Sequence, residues 1–285
     1  MTHDPLITLT TDFGTEDPYV GIMKGVILGI EPRVRLVDLT HAVPPQQVFQ
    51  GSFLLGAAFS YFPRGTVHLA VVDPGVGSAR RGLAVQAGGH FFVGPDNGLF
   101  SHVLAVLGVV TPGLGETPAP TGLGYDVRAV SLTNPRFWLH PVSSTFHGRD
   151  IFAPAAAHIS AGSRLEELGE MVSSILLYPI SRPQREPDGA ILGKVLHIDH
   201  FGNLGTDIKE EDLPRGDVII SIGGRTINGM SSSYAQVGAA EGEGPPLVAV
   251  MGSAGYLEVS ARNASAAEVL GARLGQAVRV RVSQV

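Results

Sequence analysis

The sequence predicts two domains: an N-terminal α/β domain on a mostly parallel sheet with flanking helices, residues 1–178, and a smaller all-β, barrel-like domain, residues 191–285, joined by a linker, 179–190. Three observations carry this reading. Apolar, β-rich runs alternate with helical patterns as far as Ser160, the mark of a parallel sheet covered on both faces. Pro179, Pro183, Pro187 and Gly189 then fall within a short span, as linkers do. Beyond them the helical patterns give way to short strands with Gly-rich turns.

Composition agrees with this division and narrows the chemistry. A chain of 285 residues is long enough for two cores. Its formal charge is -6, with no block of Lys or Arg, so no nucleic-acid partner is expected. With no cysteine, disulfides, thiol nucleophiles and Cys-ligated zinc are excluded. The opening MTHDPLITL has neither a basic region nor a long apolar one, so no signal peptide is expected. No apolar run reaches the ~20 residues that span a bilayer. The expectation is a soluble, cytoplasmic protein without a membrane partner.

The elements follow in order. Leu6–Thr10 alternates as a first strand and ends in Thr11-Asp12-Phe13-Gly14. Asp17-Pro18 reads as a helix start, with Asp17 as N-cap and Pro18 in the first helical position. Val20, Met23, Ile27 and Ile30 continue at helical spacing until Pro32. Val34–Leu39 is strand-like, and Val48–Phe62 is a second apolar helix ended by Pro63 and Gly65. Thr66–Val72 is a strand whose β-rich apolar run, Val67 to Val72, breaks at once into Asp73-Pro74-Gly75-Val76-Gly77-Ser78-Ala79-Arg80. That is the pattern of a buried parallel strand at its carboxyl end, where α/β sheets bind ligands.

Leu83–Ala87 and His90–Val93 read as strands around Gly88-Gly89, the second leading into Gly94-Pro95-Asp96-Asn97-Gly98. Leu99–Leu107 is expected to be helical. Residues 109–128, rich in Pro, Gly and Thr, read as a loop. Ala129–Leu132 is another strand, and Ile151–Ser160 a helix tolerating Pro154 in its first turn. In the second domain Leu192–Asp199, Val218–Ile222, Arg225–Ile227, Leu247–Met251, Tyr256–Ser260 and Ala277–Val282 read as strands, with Gly223-Gly224 as a hairpin turn.

Four acid-bearing turns stand where chemistry usually sits. Asp12, Asp73, Asp96 and His147-Gly148-Arg149-Asp150 could converge at one edge of the sheet. Asp and His together admit a divalent metal, as in phosphoesterases. Against that, no two histidines have the i, i+4 spacing of a helical metal site, and no P-loop is present. Each turn also has a bland reading, an acid that only shapes its own loop.

Taken together, in order, these stretches resemble the S-adenosyl-L-methionine (SAM) hydroxide adenosyltransferase family, relatives of the SAM-dependent fluorinase and chlorinase. The matching stretches are Thr10–Gly14, Val72–Gly77, Gly94–Leu99, Ser144–Asp150, Asp199–Asn203 and Tyr256–Glu258. The resemblance implies hydrolysis of SAM to adenosine and L-methionine by water attacking the 5′ carbon, with no cofactor and no metal. It implies a homotrimer with SAM sites between one subunit's N-terminal domain and its neighbour's C-terminal domain. It places a catalytic set on Asp73, Arg80 and His147, and a ribose-binding acid on Asp12. It places Asp17 and Asp199 near the methionine amine, and Phe146, Phe201 and Asn203 in substrate-binding loops. In the halogenases the position matching Asp73 is not acidic, which favours hydrolysis here, with a SAM-dependent halogenase or a non-catalytic SAM or adenosine sensor as alternatives. The chain departs from the family at Arg262-Asn263-Ala264, where Asn or Ser, Arg and Gly are usual; Arg262 is the candidate for the methionine carboxylate.

Overall fold

The computed structural model describes residues 5–109, 111–112, 115–180, 182–234 and 245–283. The chain divides into two compact units, Met1–Ile180 and Ser181–Val285.

The first unit contains β1 (Leu6–Thr11), α1 (Tyr19–Ile30), β2 (Arg35–Thr40), α2 (Val48–Ala58), β3 (Val67–Val71), β4 (Gly82–Ala87) and β5 (His90–Pro95). It continues with α3 (Ser101–Val106), β6 (Ala119–Gly122), β7 (Arg128–Ser131), α4 (Ala153–Ser160), β8 (Glu170–Val172) and β9 (Ser174–Leu177). Its main sheet runs β2-β1-β3-β5-β4-β7-β8. The β1–β2, β1–β3 and β3–β5 pairs are parallel. The β4–β5, β4–β7 and β7–β8 pairs are antiparallel. The sheet is therefore mixed, which corrects the expectation of a mostly parallel one. The cause is local: Gly88 and Gly89, at φ 58° and 84°, close a two-residue hairpin. Parallel neighbours would need a crossover of roughly a dozen residues.

The central strand β3 is buried end to end. Leu69 and Val71 pack with Ile7, Leu9, Met23, Ile27 and Phe152 on one face. Ala70 and Val72 pack with Leu55, Val85, Phe92, Leu99 and Val103 on the other. A strand covered on both faces favours apolar residues in successive positions, which is why Val67–Val72 reads as an apolar run interrupted only by His68.

Several boundaries differ from expectation. Pro18, not Asp17, occupies the N-cap of α1, and no side chain caps that helix. Asp17 thus lies one residue too early to reach the first free N–H groups. The Val48–Phe62 segment is α2 followed by a 3₁₀ turn, Phe59–Tyr61. The Ile151–Ser160 helix begins earlier, as a π-helical turn over Gly148–Phe152. Within the expected 109–128 loop, β6 pairs antiparallel with β9, and neither it nor β8 is legible from composition. Residues 110, 113 and 114 of that stretch lie outside the described residues.

Inside the first unit His68 is fully buried, with Nδ1 2.7 Å from Thr8 Oγ1 and Nε2 3.2 Å from His90 Nδ1. Burial, then the nearby His90, pushes its pKa down to about 3; burial pushes His102 to about 4. Both groups are neutral in the folded chain, whereas the unfolded chain protonates them below about 6.5. Stability from these two groups is thus flat above that pH and falls below it, by about 2 kcal/mol per group at pH 5. Urea melts at pH 7 and pH 5 check this, and His68→Gln should lose less on acidification than the wild type. An unchanged acid loss in that variant would mean His68 is not the group responsible.

The second unit contains β10 (Gln184–Arg185), β11 (Ile191–Ile198), β12 (Leu204–Lys209), β13 (Val218–Ile222), β14 (Arg225–Asn228), β15 (Leu247–Met251), β16 (Tyr256–Ala261), α5 (Ala266–Leu270) and β17 (Ala277–Val282). Its sheet runs β14-β13-β17-β11-β12-β16-β15, with β10 beside β11. All its pairs are antiparallel. The two end strands approach one another, so the sheet nearly closes into a barrel. Val195, Leu204, Ile220, Val259, Val278 and Val280 fill its interior.

Candidate active site

Parallel register brings two acids together. Thr11 of β1 lies opposite Val71 of β3, so the turns carrying Asp12 and Asp73 leave adjacent strands at the same sheet edge. Main-chain bonds close the second turn: Val76 N donates to Asp73 O at 3.2 Å and Ser78 N to Gly75 O at 3.1 Å. The Asp73 side chain is thus not needed to shape its own turn, and the bland reading loses its basis.

The Asp73 carboxylate is engaged by Arg80. Nε donates to Oδ1 at 2.8 Å and Nη2 to Oδ2. The same Nη2 lies 2.8 Å from His147 Nδ1. A guanidinium has only donors, so Nδ1 accepts and the His147 proton resides on Nε2. Arg80 and Asp73 are 11% and 6% exposed at their side chains, and the guanidinium lies over the Phe152 ring at 5.1 Å. Burial, then the Arg80 charge, holds His147 below its ordinary pKa, against a weaker opposite pull from Asp73 and Asp150. The imidazole is neutral at pH 7.

One glycine makes the approach possible. Gly77 sits at φ +78°, and a Cβ there would fall 2.3 Å from Ser144 O. The Asp73–Arg80 turn can therefore rest directly on the segment that carries His147.

Phe146 stands beside Asp12's turn through ring contacts with Phe13 at 6.0 Å and Tyr19 at 5.2 Å. The Arg149 guanidinium lies over the Phe146 ring, 5.4 Å from its centroid. Asp17 is exposed.

Two other acids take a different part from the one expected of them. Asp96 receives Arg81 Nε at 2.8 Å and the Leu176 main-chain N–H at 2.7 Å. It therefore pins β9 to the main sheet rather than joining Asp73. Asp150 is fully buried, held by Arg149 and by Ser143 N. It braces the loop that presents Phe146 and His147. Of the four marked turns, those of Asp12, Asp73 and His147 come together, while Asp96 and Asp150 hold the frame.

In the second unit Asp199 organises its own loop. Oδ1 accepts from Phe201 N at 2.9 Å and Asn203 N at 2.8 Å, and Oδ2 from Asn203 Nδ2 at 2.8 Å. This leaves the Phe201 ring 75% exposed at the tip. Glu258 accepts from the Tyr234 hydroxyl at 2.7 Å, which with burial pushes the Tyr234 pKa up to about 12. Arg262 is exposed just past the end of β16. Among the described residues no group of three or more His, Asp or Glu is placed to hold a metal ion. No described helix is long and apolar enough to cross a membrane.

This chain belongs to the SAM hydroxide adenosyltransferase family: the family's N-terminal domain matches residues 7–169 and its C-terminal domain residues 193–279. It is 37% identical to the (R)-S-adenosyl-L-methionine hydrolase of Salinispora arenicola, over 98% of this chain and 99% of the relative. It is 40% identical to that of Thermus thermophilus, over 95% and 97%. Among solved structures it resembles an uncharacterized conserved protein from Thermotoga maritima, with TM-score 0.81, 30% identity and coverage of 96% and 99%. Fluorinases are more distant, at 26–27% identity.

Proposed function

We propose that this protein hydrolyses SAM to adenosine and L-methionine. The observation that carries the reading is the hydrogen-bonded, partly buried Asp73–Arg80–His147 set at the carboxyl edge of the sheet. A water molecule accepts a hydrogen bond from His147 Nε2 and gives its proton to Asp73, whose oxygens each keep a lone pair beside the Arg80 bond. The water oxygen bonds to C5′, the C5′–S bond breaks, and sulfur keeps the electron pair as the methionine thioether. A hydroxide-like nucleophile and a sulfonium cancel charge in the transition state, so a water-poor site favours the step. An ionised carboxylate at position 73 would repel a halide, which argues against a halogenase.

In this reading Asp12 receives the ribose hydroxyls. Asp17, free of a capping role, and Asp199 lie toward the methionine ammonium, and Arg262 toward its carboxylate. Phe146, Phe201 and Asn203 complete the walls. SAM is the substrate, with no resident cofactor or metal. We place the enzyme in the cytoplasm without nucleic-acid or membrane partners, in keeping with its acidic balance and lack of basic blocks.

Purified protein treated exhaustively with chelator should convert SAM to equimolar adenosine and methionine, with no halogenated adenosine in chloride or fluoride. Intact SAM would leave the sensor reading, and activity restored only by a divalent ion would revive metal-assisted hydrolysis.

The chain assembles as a homotrimer with sites shared between subunits, a reading supported by family motifs divided between both units. Mixed trimers of inactive Asp73→Ala and inactive Asn203→Ala chains should regain activity, because some sites then combine two wild-type halves. Verified mixed trimers with no recovery would rule out a shared site.

A further inference from the structure

We propose that His41 is a positioning residue for the ribose-binding carboxylate, Asp12. The proposal rests on the assignment of Asp12 to the ribose. His41 lies just after β2, outside every stretch that carries the family resemblance, and is 7% exposed.

Its ring joins a hydrogen bond with Thr11 to a charge contact with Asp38. Phe13 N donates to Thr11 Oγ1 at 3.2 Å. Thr11 Oγ1 lies 2.8 Å from His41 Nδ1, and because the other ring nitrogen faces a carboxylate and carries the ring proton, Nδ1 accepts from the Thr11 hydroxyl. His41 Nε2 lies 3.0 Å from Asp38 Oδ1, a charge contact that lacks hydrogen-bond geometry. Lys24 Nζ holds the other oxygen of Asp38 at 2.6 Å. The residues on either side of Asp12 are thus tied through one imidazole to β2 and α1.

The main chain of the same loop grips the Asp12 turn as well. Gly14 N donates to His41 O at 2.8 Å and Val43 N to Thr11 O at 3.3 Å. Gln46 N donates to Asp12 Oδ2 at 2.8 Å. Gln46 makes that bond from φ +64°, a left-handed conformation that disfavours a residue with a Cβ. Backbone of this kind persists only where the surroundings hold it, and it clusters at ligand sites. One oxygen of Asp12 is thereby fixed to the loop, and the other takes no hydrogen bond among the described residues. A carboxylate aimed this way meets a diol without first losing rotational freedom. A histidine that only filled space would leave both ring nitrogens without polar neighbours; here both have one.

The two amide isosteres of histidine separate positioning from packing. In His41→Asn the side-chain oxygen falls near Nδ1 and can accept from Thr11. In His41→Gln the amide falls near Nε2, keeps Asp38, and leaves Thr11 without its acceptor. His41→Gln should weaken adenosine binding, measured by calorimetry, and raise KM for SAM, each by about five- to tenfold, the worth of one hydrogen bond. Its single-turnover rate at saturating SAM should stay within twofold of wild type, and His41→Asn should stay within twofold in every parameter. Thr11→Val cuts the same bond from its other end, and in that background His41→Gln should add nothing further. Thr11→Val also serves alone if His41→Gln does not fold.

Equal losses in the Asn and Gln variants, or a fall in rate at unchanged KM, would overturn the proposal. Asp12→Ala, run alongside, separates the two layers of the argument. If it weakens adenosine while His41→Gln and Thr11→Val do not, the positioning role is wrong and the ribose assignment stands. If Asp12→Ala leaves adenosine affinity unchanged, both fall.

Discussion

Asp73→Asn should lower kcat for SAM hydrolysis by roughly 10²–10⁴, the usual range for a positioned acid–base group, with SAM affinity little changed. The substitution keeps the shape but removes the charge that, in the proposed step, takes the water's proton. It also sets an amide N–H₂ against an Arg80 donor, since both carboxylate oxygens accept from that one guanidinium in the wild type. His147→Ala should act in the same direction but less severely, because it removes a hydrogen bond to the water and not the proton acceptor. Single-turnover rates and calorimetric affinities on the two variants separate chemistry from binding. A wild-type rate in Asp73→Asn would show that Asp73 does not take the water's proton, and the water-activation role would fall.

The parts of this site that were legible in sequence share a physical cause. β3 is buried on both faces, so apart from His68 its residues are apolar, and the acid that follows it stands out. The hairpin at Gly223-Gly224 is equally local, with φ values of 55° and 74° that only glycine adopts freely. What stayed hidden depends on partners far along the chain. Arg80 and Arg81 are equivalent as letters, and only the fold sends one to Asp73 and the other to Asp96. The direction of β4 against β5 was implicit in Gly88-Gly89, but the strand-helix alternation around it outweighed that signal. The strands β6 and β9 pair across more than fifty residues, and β6 lies in a segment whose Pro, Gly and Thr content reads as loop. His41 carried no motif at all; its place emerges only when β1, β2 and α1 are set side by side.

Arg80→Met is the second large effect expected, and it carries a signature in pH as well as in rate. Arg80 is a fork serving three atoms, Asp73 Oδ1, Asp73 Oδ2 and His147 Nδ1. Methionine fills a similar volume beside Phe152 without any donor, so Asp73 and His147 both lose the contact that orients them. A fall in kcat of about 10²–10³ is expected, comparable to removing one preorganised electrostatic group. The sign of the pH change follows from the neighbours of His147. In the wild type, burial and the Arg80 charge lower its pKa, while Asp73 and Asp150 raise it. Activity in the wild type should therefore persist well into mildly acidic solution and fall only as His147 takes a proton on Nδ1, which breaks its bond to Arg80. Removing the guanidinium deletes the lowering charge and leaves both carboxylates, so the acid limb of the kcat profile should move to higher pH. Arg80→Lys keeps a positive charge but cannot span the three acceptors. It should lose rate with a smaller displacement of the acid limb. If Arg80→Met lost rate with its acid limb unmoved, His147 would not be the group whose protonation stops the reaction, and the loss of its bond to Arg80 would not explain the acid limb.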